Sequence, residues 1–243
     1  MKLLFDDQLA PITSSIGFLQ CRAQKVKDVY VEWQSTIQVK RGVSLNVRTS
    51  RGELRELLRG LLPLTSVERR RMLFVQTVGE WTAFFDNGWK GTDVFSTGAF
   101  LAKKIGCRGV RAVCVPGTLE KETEKKGGRY GATMFELYSA HQTDFLNIER
   151  AISAANDGGK WVFSANGTQQ PFEDVSRYTA RSVVDRFTPE MLDQYLQALG
   201  IRAFDAGFYV SPGGAFLVEK TGPSAPGMST YSLDAVRARW GAT

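Results

Sequence analysis

Between Val43 and Val115 the hydrophobic spacing switches repeatedly between the two-residue period of a strand and the about 3.6-residue period of a helix. VSLNVRT reads as a strand. In RGELRELLRGLLP, residues Leu54, Leu57, Leu58, Leu61 and Leu62 share one helical face, and Pro63 ends it. RRMLFVQT and EWTAFFD are two strands joined through a hairpin at Val78-Gly79. VFSTGAFLAKKIG is a second helix, with Asp93 as its N-cap, lysines in its last turn and Gly106 beyond its end. GVRAVCVP closes the series as a strand. This β-α-β-β-α-β order is the split βαβ arrangement of ferredoxin-like folds. The expected class is therefore α+β, a mainly antiparallel sheet with helices packed on it. The order recurs on many functions and carries no activity by itself.

Around that unit, GFLQCRA and DVYVEWQSTI read as strands; in the latter, Val29, Val31 and Trp33 alternate with Tyr30, Glu32 and Gln34. The charges of PGTLEKETEKKGG have no buried side, so it reads as a solvated excursion. The chain 1–243 is expected to be one domain, and 117–129 is where it would break if it formed two lobes. GATMFELYS is a strand, and NIERAISAAND fits strand or helix, with GGKWVFSANG favouring a hairpin. RFTPEMLDQYLQALGI is the best-marked helix. Thr188 caps it, Pro189 takes its first turn, and Gly200 with Ile201 closes it. DAGFYVSPGGAFLVEK is expected to be a hairpin turning at Pro212-Gly213-Gly214, and SLDAVRARW a terminal helix capped by Ser232.

With 43% hydrophobic and 23% charged residues, the chain has the makeup of an ordinary globular protein. Asp6 and Asp7 interrupt the apolar start, so no secretory signal is visible, and no apolar run is long enough for a membrane span. Cys21, Cys107 and Cys114 cannot make a disulfide framework. A reduced, cytoplasmic protein without membrane contact is expected. The net charge of +6 is uneven: residues 1–80 hold 13 Lys and Arg against 8 Asp and Glu. Such a basic third favours anionic partners, whether nucleic acid or an acidic protein.

Catalytic chemistry finds few of its usual parts. His141 is the only histidine, there is no Cys-x-x-Cys pair for zinc, and no Gly-x-Ser-x-Gly elbow presents a serine. GWKGT lacks the glycine spacing of a Walker A loop. Paired carboxylates are the one enzymatic option left: Asp86 and Asp93 bracket a loop, with Glu80 before it. Ordinary roles, a turn residue for Asp86 and a helix cap for Asp93, account for both. No cofactor is implied.

Two groups of residues are candidates for contact. Arg51, Arg55 and Arg59 are spaced to line one side of the leucine-rich helix and could meet phosphates; arginine stems also commonly cover an apolar face. The other group lies in WTAFFDNGWKGTD. Trp81 and Phe85 face a core, whereas Trp89 sits among turn residues with Asp86, Lys90 and Asp93 around it. One apolar anchor with a polar rim is the makeup of an interface hot spot. Trp89 folding back onto the sheet edge is the competing expectation.

WTAFFDNGWKGTD and RFTPEMLDQYLQALGI resemble segments of bacterial α+β proteins of the immunity-protein kind, which neutralise a partner toxin by binding it. The resemblance implies a non-catalytic protein-binding role and transfers no site residues. A basic inhibitor suits an acidic partner through complementary charge. Nucleic-acid binding by the basic first third is the alternative, and a carboxylate-based enzyme the second alternative.

Overall fold

The computed structural model describes residues 3–92, 94–119, 127–141, 143, 146–209 and 214–240. Nine strands form one sheet: β1 (Ser15–Leu19), β2 (Ser44–Ser50), β4 (Arg71–Gln76), β5 (Thr82–Asp86), β6 (Gly109–Val115), β7 (Ala132–Tyr138), β8 (Ile148–Asp157), β9 (Lys160–Gly167) and β10 (Ala215–Thr221). Their spatial order is β2-β10-β4-β5-β1-β6-β7-β8-β9, and every neighbouring pair is antiparallel. A short second ladder joins β3 (Leu64–Thr65) to β11 (Thr230–Tyr231). The fold is α+β, as the alternating periods imply.

Both faces of the central strands are covered, which is why their sequences are nearly continuous apolar runs. Along β4, Met72 and Phe74 join the core under α1 (Ala23–Gln38) and α3 (Val94–Ile105). Leu73 and Val75, one residue out of phase, join the opposite core under α2 (Leu54–Arg59) and α4 (Pro189–Ala198). Removing a Phe or Leu of this kind from water contributes about 1.5–3 kcal/mol each. Trp33 of α1 stacks on Phe100 of α3, ring centroids 4.1 Å apart. Trp81 Nε1 donates to the Leu199 carbonyl at 3.0 Å and ties the end of α4 to the sheet.

The caps of α4 follow the sequence. Thr188 Oγ1 accepts from the Met191 amide at 3.3 Å, and Gly200 takes a left-handed conformation (φ 75°) that lets the Ile201 amide reach the Leu196 carbonyl at 2.9 Å. Ser232 likewise caps α5 (Leu233–Ala238) by accepting from the Ala235 amide at 3.1 Å. The β8–β9 hairpin turns at Gly158-Gly159, and β6 and β7, on either side of 116–131, are adjacent in the sheet.

Several expectations are corrected. DVYVEWQSTI is not a strand: it lies within α1, whose buried positions Val26, Tyr30, Gln34 and Gln38 recur every four residues. The helical face carries two glutamines, so it does not look apolar, while Val29, Val31 and Trp33 are only half-buried beside it. Among the described residues of DAGFYVSPGGAFLVEK no earlier strand pairs with β10: Ala206–Tyr209 is a 3-10 turn, and β10 pairs with β2 and β4. The β-α-β-β-α-β order along the chain is present, but β10 separates β2 from β4 and β1 separates β5 from β6. The Asp93 cap, most of the 117–129 excursion and the turn at 212–213 lie outside the described residues.

Candidate binding cleft

The turn after β5 is built by three consecutive residues with separate tasks. Asp86 is fully buried, and its Oδ1 accepts from the Gly88 amide at 2.7 Å, the local closure that aspartate favours in turns. Arg69 Nε lies 3.5 Å from the same oxygen, an ion pair without hydrogen-bond geometry. Asn87 is also buried. Its Oδ1 accepts from the amides of Arg70 and Arg71, both at 3.0 Å, and its Nδ2 donates to the Pro63 carbonyl at 2.9 Å. The backbone continues the anchoring: Thr65 N donates to Asn87 O at 2.7 Å and Trp89 N to Thr65 O at 3.0 Å. Gly88 is required by space, since a Cβ there would lie 2.6 Å from both Arg69 Nε and the Gly91 carbonyl.

This anchored turn presents Trp89 and Lys90. Trp89 is half-buried, tilted against Tyr231 with centroids 5.2 Å apart, and Lys90 is exposed with its Nζ 5.4 Å from the indole centroid. Arg239, after α5, lies 5.1 Å from the Trp89 ring and 4.8 Å from that of Tyr231. Trp89 thus combines both expectations: its ring packs against Tyr231, and the residue also lines a cleft.

That cleft, of ≈ 370 Å³, is bounded by Trp89, Lys90, Ser14, Arg129, Tyr130 and Trp240. Arg129 stands 5.1 Å from the Trp240 ring and is paired with Asp7. Asp7 ends a run of three left-handed residues, Phe5, Asp6 and Asp7 (φ 55°, 50° and 65°), and Arg237 Nη1 donates to its carbonyl at 2.7 Å. Such a run is costly for residues with a Cβ and persists where neighbours hold it. Ser14 Oγ is buried at the cleft with no hydrogen-bond partner among the described residues. The cleft therefore offers aromatic side chains, cations and one unsatisfied hydroxyl.

The candidate residues of WTAFFDNGWKGTD do not act as one patch. Trp89 and Lys90 meet at the cleft, Asp93 lies outside the described residues, and Asp86 is inside the protein, where its carboxylate holds the turn and touches no surface. Arg129, Tyr130, Arg239 and Trp240 were not singled out by sequence reasoning. A shared signal marks them: Trp89-Lys90, Arg129-Tyr130 and Arg239-Trp240 are each an aromatic beside a cation, and each is next to glycine in the sequence.

The arginine stripe is also corrected. The helix begins at Leu54, so Arg51 precedes it and the three do not share one helical side. Arg55 lies 4.4 Å from the Phe5 ring and donates to Gln8 Oε1 at 2.9 Å, while Arg59 pairs with Glu56 at 2.5 Å. Much of the remaining basic surplus of the first third is paired locally: Arg41 and Arg70 with Glu68, Arg48 and Arg71 with Glu219.

Other reactive groups are scattered. His141 is exposed, and the described residues contain no group of three His, Cys, Asp or Glu that could hold a metal ion. Burial, with Cys21 nearby, pushes the Cys107 thiol up to about 12; burial, with Asp7 and Glu190 adding to it, does the same to Cys114. No helix of the described residues is long and apolar enough to cross a membrane. Compared with known proteins, the chain matches no family model, no curated protein and no solved structure.

Proposed function

We propose that the chain is a non-catalytic protein-binding protein, most concretely an immunity or inhibitor protein that neutralises a bacterial toxin or effector in the cytoplasm. The observation that carries this reading is the convergence of three aromatic–cation pairs, Trp89-Lys90, Arg129-Tyr130 and Arg239-Trp240, around one cleft. Trp, Tyr and Arg are the side chains that dominate interface energetics. Trp89 stands on a turn anchored by Asp86 and Asn87, so little ordering is needed when a partner arrives. The cations around the cleft favour a partner that brings a carboxylate-rich surface.

Nucleic-acid binding has less support, because Glu56, Glu68 and Glu219 already engage many arginines of the basic third. The deciding experiment isolates the stoichiometric partner of the tagged chain from its native cells and expresses that partner alone. Toxicity relieved by the wild-type chain, and not by Lys90→Glu or Trp89→Ala, is the expected result. Full relief by both variants, or a partner with no toxicity, overturns the reading. Salt-sensitive binding to DNA or RNA that is lost with Arg51, Arg55 and Arg59 changed to Glu would favour the alternative.

A further inference from the structure

The sheet has two edges, and they are treated differently. At the β9 end the 3-10 turn Val183–Arg186 packs across β9 and its neighbour β8. The β2 edge pairs on its inner side with β10 through seven regular residue pairs, with no register shift. On its outer side no backbone group of the described residues hydrogen-bonds to it, and Asn46, Val47, Arg48 and Thr49 are all exposed. Proteins usually blunt such an edge with lysine, proline, a bulge or a covering segment. SLNVRTS has no lysine, proline or bulge, no segment of the described residues covers it, and its single charge, Arg48, pairs within the chain with Glu219 at 2.5 Å.

We propose that β2 pairs edge to edge with β2 of a second copy of this chain, forming a twofold dimer with one continuous sheet. Opposed residues in an antiparallel pair must both point their amide and carbonyl toward, or both away from, the partner strand. That direction alternates along a strand, so when a strand meets its own copy the two opposed positions are both odd-numbered or both even-numbered. The register that uses all of β2 then places Val47 opposite Val47, Asn46 opposite Arg48, Leu45 opposite Thr49 and Ser44 opposite Ser50. A β-branched pair sits on the axis, on the face where Val47 neighbours the buried Val218. No two like charges are directly opposed, which is the condition a self-pairing strand most easily violates. Glu219 already neutralises the one arginine involved. This self-complementarity favours a second copy over a foreign strand, and twofold dimers are the commonest assembly.

The test leaves the cleft residues unchanged: sedimentation equilibrium of the full chain over a concentration series, with circular dichroism as the folding control. A reversible species of twice the 26.9 kDa chain mass is expected. Val47→Lys or Val47→Glu alone brings two like charges together on the axis and weakens the dimer by roughly tenfold, whereas an equal mixture of the two variants sets Lys opposite Glu and regains most of that loss. Val47 is exposed in the single chain and its neighbour on β10 is the uncharged Val218, so neither change opposes a like charge within the chain. A monomer at every concentration overturns the proposal. So does a dimer that neither substitution shifts, or one in which the Val47→Lys and Val47→Glu mixture is as weak as either variant alone.

Discussion

Arg150 and Glu173 meet inside the protein as two forks, Nε to Oε1 at 2.9 Å and Nη2 to Oε2 at 2.6 Å, with side chains 6% and 0% exposed. Both side chains make further hydrogen bonds. Arg150 Nη1 donates to the Gly167 carbonyl at 3.2 Å, and Glu173 accepts from the Gln170 amide at 2.7 Å and from Tyr178 Oη at 2.8 Å. Burial works against the charged arginine, but the hydrogen bond and charge of Glu173 outweigh it and raise the Arg150 pKa. The pair fastens the β8–β9 hairpin to the segment that leads into α4.

Breaking this pair on one side strands a buried charge. Arg150→Met or Glu173→Gln is expected to cost about 3–5 kcal/mol, whereas replacing both by apolar residues costs less than the two single changes together. Guanidinium unfolding of the three variants measures this. Additive losses would show that the two side chains act independently.

Asn87 governs the turn that carries Trp89. Asn87→Ala leaves the amides of Arg70 and Arg71 and the Pro63 carbonyl without their partner, with an expected loss of about 1–3 kcal/mol. Asn87→Asp keeps the acceptor but turns a carboxylate oxygen on the Pro63 carbonyl and adds a charge beside the buried Asp86, so it should cost at least as much. Gly88→Ala forces a methyl into the space between Arg69 and Gly91, displacing the turn at a cost of about 1–3 kcal/mol. Thermal unfolding reports both effects, and the Trp89 share of the emission is the difference from Trp89→Phe; an unchanged share in Gly88→Ala would mean the turn adapts without moving its tryptophan.

The same residues show where sequence reasoning succeeds and where it stops. The caps of α4 and α5 were legible because each uses contacts within a few residues, as Thr188 to Met191 and Ser232 to Ala235. The helix α1 was not, because Gln34 and Gln38 occupy its buried face and leave Val29, Val31 and Trp33 to mimic a strand. Tertiary packing overrode the local pattern there. The insertion of β10 between β2 and β4 depends on pairing across more than half the chain, which no local spacing encodes. In the turn, Trp89 and Lys90 were legible as a large aromatic and a cation among glycines. The burial of Asp86 was not, since an aspartate that closes its own turn and one that faces a partner have the same local sequence.

Acid should weaken the β2–β10–β4 end of the sheet. Burial raises the pKa of Glu219, but the hydrogen bonds and charges of Arg71 and Arg48 outweigh it and leave the carboxyl below its usual range. Glu68 behaves alike: Arg70, Lys220 and Arg41 outweigh its burial. A depressed carboxyl pKa stabilises the folded state fully above the unfolded value of about 4.3, and that share is lost as pH falls through the folded value. The melting temperature should therefore fall from about pH 5 downward, and less steeply in Glu219→Gln, which starts from a lower stability. An identical slope in that variant would place the acid sensitivity elsewhere.

The elevated thiol values of Cys107 and Cys114 make a last prediction about chemistry. With both held near about 12 by burial, only roughly one thiol in ten thousand is ionised at about pH 8. The thiolate is the nucleophile, so iodoacetamide should modify these two cysteines in the native protein roughly a thousandfold more slowly than an unfolded cysteine of pKa about 8.5. Peptide mass spectrometry after timed labelling measures each site separately, and labelling in guanidinium gives the unfolded rate. Fast native labelling of Cys114 would mean that the core between β6 and the N-terminal segment opens often enough to expose it. Slow labelling of both would remove them as nucleophiles for any reaction assigned to this chain.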